Sequence, residues 1–204
     1  MSPIFFFRPV LDKLNDGKVI RTGVALALRI LGILCLLGGF YLLIDVLKTS
    51  FSLSTEGTVG GVLFAILLLA AILAVVQILF FRATDIKSLG VSPFTVIPIF
   101  SILFRAVGEI YATFAVAVGI GGCLFAWLSG LNPLLIMGGA GGFFPSVPGG
   151  NTFLTGLLFL VALAVAAFVS LLVFYFLAES VVVLVDIASN MRLLVRQSGG
   201  TSQG

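Results

Sequence analysis

TFLTGLLFLVALAVAAFVSLLVFYFLA, residues 152–178, contains no Asp, Glu, Lys or Arg, and neither does the stretch before it, LNPLLIMGGAGGFFPSVPGGN, residues 131–151. A water-soluble fold that left so much apolar chain without charge would aggregate, so the solvent for most of this protein is lipid. The rest of the chain agrees. Hydrophobic residues make up 60% and charged residues 9%, with a mean hydropathy of +1.29, whereas an ordinary soluble domain carries roughly 25% charged residues. The 204 residues leave little beyond the spans, and a single membrane domain is expected.

Three further apolar runs precede the quoted one. The first, 22–47, follows Arg8, Lys13, Lys18 and Arg21. That arrangement resembles a signal peptide, but the run is too long and no small-x-small cleavage site precedes Lys48, so it is expected to stay as a span. The second, 58–81, is interrupted only by Gln77 and closed by Arg82, Asp85 and Lys87. The third is placed at 104–128, with 91–103, which contains Pro93 and Pro98, as an interfacial approach or the start of the same helix. The fourth span, 152–178, keeps a helical pattern through 179–196, where Leu184, Ile187, Met191 and Leu194 form an apolar stripe. About 43 residues of helix measure roughly 65 Å, more than any bilayer, so the last turns must leave the membrane. Residues 197–204 are expected to be a flexible tail.

Basic residues set the orientation. Arg8, Lys13, Lys18 and Arg21 precede span one, Arg82 and Lys87 lie between spans two and three, and Arg192 and Arg196 follow span four, against Lys48 alone on the other side. Both termini are therefore predicted in the cytoplasm. The same scatter argues against nucleic acid as a partner, despite 11 Lys plus Arg against 8 Asp plus Glu. The predicted fold is all-α: a polytopic membrane protein with four transmembrane helices in an antiparallel bundle, the last extended into the cytoplasm.

The chain has no histidine, which removes the usual haem ligand, imidazole metal sites and His-based proton relays. Cys35 and Cys123 stand apart in apolar runs and read as small core residues. No cofactor, metal or catalytic residue is expected.

The polar exceptions inside apolar sequence are few. Arg29 lies within span one, where it either snorkels to the headgroups or pairs between helices. Arg105 and Glu109, four apart, can satisfy one another locally. Counted from the intervening loop, Arg105 lies 25 residues before Gly130 and Glu179 lies 27 after Thr152, so an Arg105–Glu179 contact is expected. Arg29, Arg105, Glu109 and Glu179 would together form a structural polar cluster near the cytoplasmic face. Small residues four apart, Ala115 with Gly119, Ala117 with Gly121, and Ala162 with Ala166 and Ser170, mark the expected seam between spans three and four.

Three apolar surfaces suit a partner or lipid: Phe5, Phe6 and Phe7 near the N-terminus; Leu134, Leu135, Ile136, Met137, Phe143 and Phe144 in the glycine-rich loop; and Ile187 with Met191 on the final helix. The glycines of that loop are not in phosphate-cradle register. Glu179, the apolar 181–185, Ile187, Asn190 and Met191 resemble the end of a family of small bacterial inner-membrane proteins built on a domain of unknown function. Residues 11–18 leading into 30–39 are also similar to it. The resemblance covers about a third of the chain and implies two typical spans, with 48–150 as an insertion holding two more and Asp186 where the pattern carries a basic residue. It implies a bacterial inner-membrane location and no mechanism.

These features point to a non-catalytic accessory or scaffold subunit, with the lipid bilayer and other membrane subunits as partners. The alternative is a small oligomeric ion or solute transporter using Arg29, Gln77, Arg105, Glu109 and Glu179. An enzyme is not expected, because the carboxylates stand singly.

Overall fold

The computed structural model describes residues 17–90, 96–137 and 152–200. They form α1 (Lys18–Phe51), α2 (Thr55–Ser88), α3 (Val96–Ser129), a single 3-10 turn (Pro133–Leu135) and α4 (Thr152–Gly200). Four helices are long and apolar enough to cross a membrane, which fits a multi-pass membrane protein. Each of α1 to α3 has 34 residues, or ~51 Å, against a hydrocarbon core of ~30 Å. Their ends therefore reach the headgroups or tilt.

Every helix is longer than the apolar run that announces it, because flanking polar residues continue it at no cost once the backbone is hydrogen-bonded. Residues 96–103 belong to α3 itself. Pro98 is its third residue, where the missing N–H has no intrahelical acceptor to lose. The α4 helix runs unbroken to Gly200, past 196.

The turns between helices are set by short polar contacts. Ser54 caps α2 by accepting the Gly57 N–H at 3.4 Å, and Thr58 Oγ1 donates to the carbonyls of Ser50 and Ser54 at 3.0 and 3.1 Å. Gly130, at φ +70, ends α3 in the left-handed conformation that glycine adopts without strain, and its N–H returns to the Ala126 carbonyl at 3.0 Å. Asn132 Oδ1 then accepts the Leu134 N–H at 3.0 Å, and the chain turns inward.

That turn changes the reading of the loop. Ile136 and Met137, expected on an outer contact surface, are 1% and 2% exposed and join the core with Val46, Phe64 and Phe125. The 3-10 turn brings Ile136 against Gly61, where an added Cβ would lie 3.1 Å from Ile136 Cδ1 and nearer still to the Ser50 side chain. Leu135 stays outside, 63% exposed.

Helices pack in chain order. α1 lies against α2, α2 against α3 and α3 against α4, while α1 and α4 share no extensive contact. Lipid tails are as apolar as leucine, so close packing and polar contacts must hold the helices together in place of hydrophobic burial. Glycine supplies the close packing. A Cβ on Gly39 would lie 2.7 Å from Ile72 Cγ2, one on Gly121 2.8 Å from Phe64 Cδ2, and one on Gly108 2.9 Å from Phe174 Cβ. The glycine stripes of α3 therefore serve two seams. Gly119 meets Leu160 and Leu163 of α4 as expected, but Gly121 meets Phe64 of α2, because two residues further along a helix is about 200° around it. Among the described residues, the buried apolar side chains of α4 are Phe159, Leu163, Ala167 and Ala178, while Ala162, Ala166 and Ser170 are half-buried.

Replacing Gly121 with Leu should destabilise the detergent-solubilised protein by about 1–3 kcal/mol in thermal unfolding. Gly38→Ala, where an added Cβ meets nothing within 4 Å, should leave stability unchanged or raise it by up to ~1 kcal/mol. Equal effects of the two substitutions would contradict the glycine seam.

Candidate functional site

Glu109 carries a charge in the interior of an apolar helix, which is costly unless the carboxylate finds donors. Two neighbouring helices supply them. From α2, Arg82 approaches edge-on, with Nε 3.0 Å from Oε2 and Nη2 against Oε1. From α4, the Tyr175 hydroxyl donates to Oε1 at 2.8 Å. Thr113, one turn further along α3, donates its Oγ1 proton to the Glu109 carbonyl at 2.7 Å. The Arg82 and Glu109 side chains are 21% and 19% exposed, so the pair is screened far less than a surface ion pair.

Arg82 also reaches Asp85 Oδ2 at 3.1 Å, one turn along its own helix, and that carboxylate is 48% exposed. Arg105 stands differently. Its guanidinium carbon lies 5.5 Å from the centre of the Tyr175 ring, a cation–π contact, and its Nε is buried with no hydrogen-bond partner. The result is a layer in which α2, α3 and α4 are linked through one carboxylate.

Of the four residues expected to cluster, the structure brings Arg105 and Glu109 into this layer. They meet around Tyr175 and do not bond to each other, because Glu109 is occupied by Arg82 and Tyr175. Glu179 and Arg29 are exposed on α4 and α1 and make no salt bridge; those among the described residues are Arg82–Asp85 and Arg82–Glu109. The reason is angular. Ala178 and Leu28 are the buried neighbours, 0% and 7% exposed, and the next residue sits about 100° around the helix. Gln77 is likewise exposed, and among the described residues no group of His, Cys, Asp and Glu could hold a metal.

Arg82 and Tyr175 were not singled out from the sequence. Arg82 reads as the charged end of a span, and its depth relative to Glu109 becomes visible only once 96–103 is known to be helix. Tyr175 could have been found as the single residue of its run pairing an apolar ring with a polar tip. Arg21, read only as a topology signal, is 7% exposed. It donates to the Leu89 carbonyl and, at 3.0 Å, to that of Gly90, closing the negative end of α2 with a cation.

The opposite end is aromatic. Trp127 and Phe153 stack with ring centres 5.1 Å apart and planes at 9°, and the indole N–H donates to the Phe153 carbonyl at 3.1 Å. Glu109 lies 18 residues from Trp127 along α3, or ~27 Å. With an indole at one headgroup boundary, the charged layer falls at the other.

Ile187 and Met191 are 51% and 64% exposed on α4. Phe5, Phe6, Phe7, Phe143 and Phe144 lie outside the described residues. The chain matches no family model, no curated protein and no solved structure, so the likeness at 179–191 rests on its residues alone.

Glu109→Gln should cost about 2–3 kcal/mol of thermal stability, since it leaves Arg82 without its main counter-charge. Tyr175→Phe, which removes one hydrogen bond to that carboxylate, should cost about 1 kcal/mol. In the double variant the costs should fall short of additive, and strict additivity would show that the two side chains do not share the carboxylate.

Proposed function

We propose that this chain is a non-catalytic accessory or scaffold subunit of a larger membrane assembly, with four spans side by side in alternating direction and the end of α4 projecting on the cytoplasmic side. A bacterial inner-membrane location and cytoplasmic termini belong to the same proposal. The observation that carries it is the far end of α4. Gly108 lies against Phe174; counting 12 residues back to Val96 and 12 forward to Asp186 puts Asp186 level with the start of α3. Residues 187–200 therefore overhang by ~21 Å.

Two exposed apolar side chains sit on or beyond that edge. Ile187 and Met191 are ~18 and ~24 Å past Tyr175 along the helix, which takes them out of the hydrocarbon if the charged layer marks its boundary. An apolar stripe at that depth is stabilised by a second protein surface more than by headgroups or water. Chain-order packing adds to this reading. The apolar windows of α1 and α4 are 11% and 17% buried, against 39% and 50% for α2 and α3, so the outer helices keep free flanks for lateral contact.

Transport is the weaker reading, because the described side chains between the charged layer and Trp127 form an apolar core of Phe64, Leu68, Ala115, Val118 and Phe159. Extraction in a mild detergent should retain the chain in a stoichiometric complex. The double substitution Ile187→Asp and Met191→Asp should release it without lowering its melting temperature. A monodisperse wild-type monomer, or ion flux through the purified chain in liposomes that Glu109→Gln abolishes, would overturn the proposal.

A further inference from the structure

We infer that the membrane-facing groove between α2 and α3 holds one acyl chain of a glycerophospholipid whose phosphate is bound at Arg105. The groove has a volume of about 510 Å³ and is walled by small and apolar side chains, among them Leu67, Ala70 and Ala74 of α2 and Ala112, Ala117 and Ile120 of α3, with Thr113 as its polar member. The alanines are what make it a groove, since larger side chains at these positions would fill the space between the two helix surfaces.

The groove points at the charged layer. On α3, Arg105, Glu109, Thr113 and Ala117 are spaced by four, and on α2 so are Ala70, Ala74, Ile78 and Arg82. Residues four apart share a helix face, so each wall of the groove leads, within two or three turns, to an arginine. From Leu67 to Ala74 the wall rises ~10 Å, room for part of one alkyl chain and well short of the ~30 Å along which a transmembrane helix would need to be seated. That length selects a lipid tail over a helix.

The charges select the headgroup chemistry. Arg82 has two carboxylates, Glu109 and Asp85. Arg105 has none among the described residues; it rests on the Tyr175 ring, and its Nε has no hydrogen-bond partner. A guanidinium at the hydrocarbon boundary without an anion is matched by a phosphodiester, which sits at that depth and takes guanidinium donors in pairs. Half-exposed Asp85 balances the layer overall, so the phosphate common to glycerophospholipids suffices and a net negative headgroup is not required.

The inference stands apart from the subunit proposal, because it concerns the purified chain alone. The test is native mass spectrometry of delipidated protein with two added probes, dioleoyl phosphatidylethanolamine and dioleoylglycerol, which share their tails and differ in the phosphate-containing headgroup. The wild type should retain one phosphatidylethanolamine per chain about tenfold more strongly than dioleoylglycerol. Arg105→Gln should abolish that preference and Arg105→Lys should restore part of it. Ala74→Phe, which fills the groove without touching the charged layer, should weaken retention of both probes about tenfold. Equal retention of the two probes by the wild type, a comparison that needs no variant, would overturn the phosphate assignment. Undiminished lipid retention by folded Ala74→Phe would overturn the groove.

Discussion

A carboxylate largely withdrawn from solvent must be satisfied by protein, and Glu109 draws the charged end of this molecule around that requirement. Arg82 comes to it from α2 and Tyr175 from α4, so one charge on α3 sets the relative height of three helices. Lateral packing through glycine tolerates small slides along a seam, but a two-point arginine contact does not. Glycine sets how near the helices lie, and the ion pair sets their height.

The helices were legible in the sequence because a run of apolar residues without charge has one stable conformation in lipid. Their lengths were less so. The segment 96–103 contains a proline that, from sequence, ends a helix as readily as it opens one, and only neighbouring structure decides which. That ambiguity carried into the charged layer, since counting depth from the wrong helix start hides the match between Arg82 and Glu109. Glu179 shows a second limit. Depth follows from counting along the chain, but azimuth does not, and the residue beside fully buried Ala178 points away from the seam. Ile136 and Met137 show a third, since an apolar loop beside a membrane reads equally as lipid contact or as core, and a single 3-10 turn makes them core.

The two ends of the molecule differ in kind. At one, aromatic stacking of Trp127 on Phe153 fixes the start of α4 to the end of α3 with a neutral, amphipathic contact suited to a headgroup boundary. At the other, charge is collected, partly neutralised, and left with one arginine over an aromatic ring. An assembly role and a bound lipid are compatible on this plan, because the first draws on the α4 overhang and the second on the groove between α2 and α3.

Packing in chain order also bears on how the molecule is made. A span that leaves the ribosome meets the neighbour it needs already in the bilayer, because α2 rests on α1, α3 on α2 and α4 on α3. No helix has to wait for a later one to close a ring, and the longest-range pairing that must be found spans only adjacent segments, which keeps the topological cost of assembly low. Glu109 then never enters without a counter-charge: Arg82 precedes it into the membrane, and the Tyr175 hydroxyl is added with the last span.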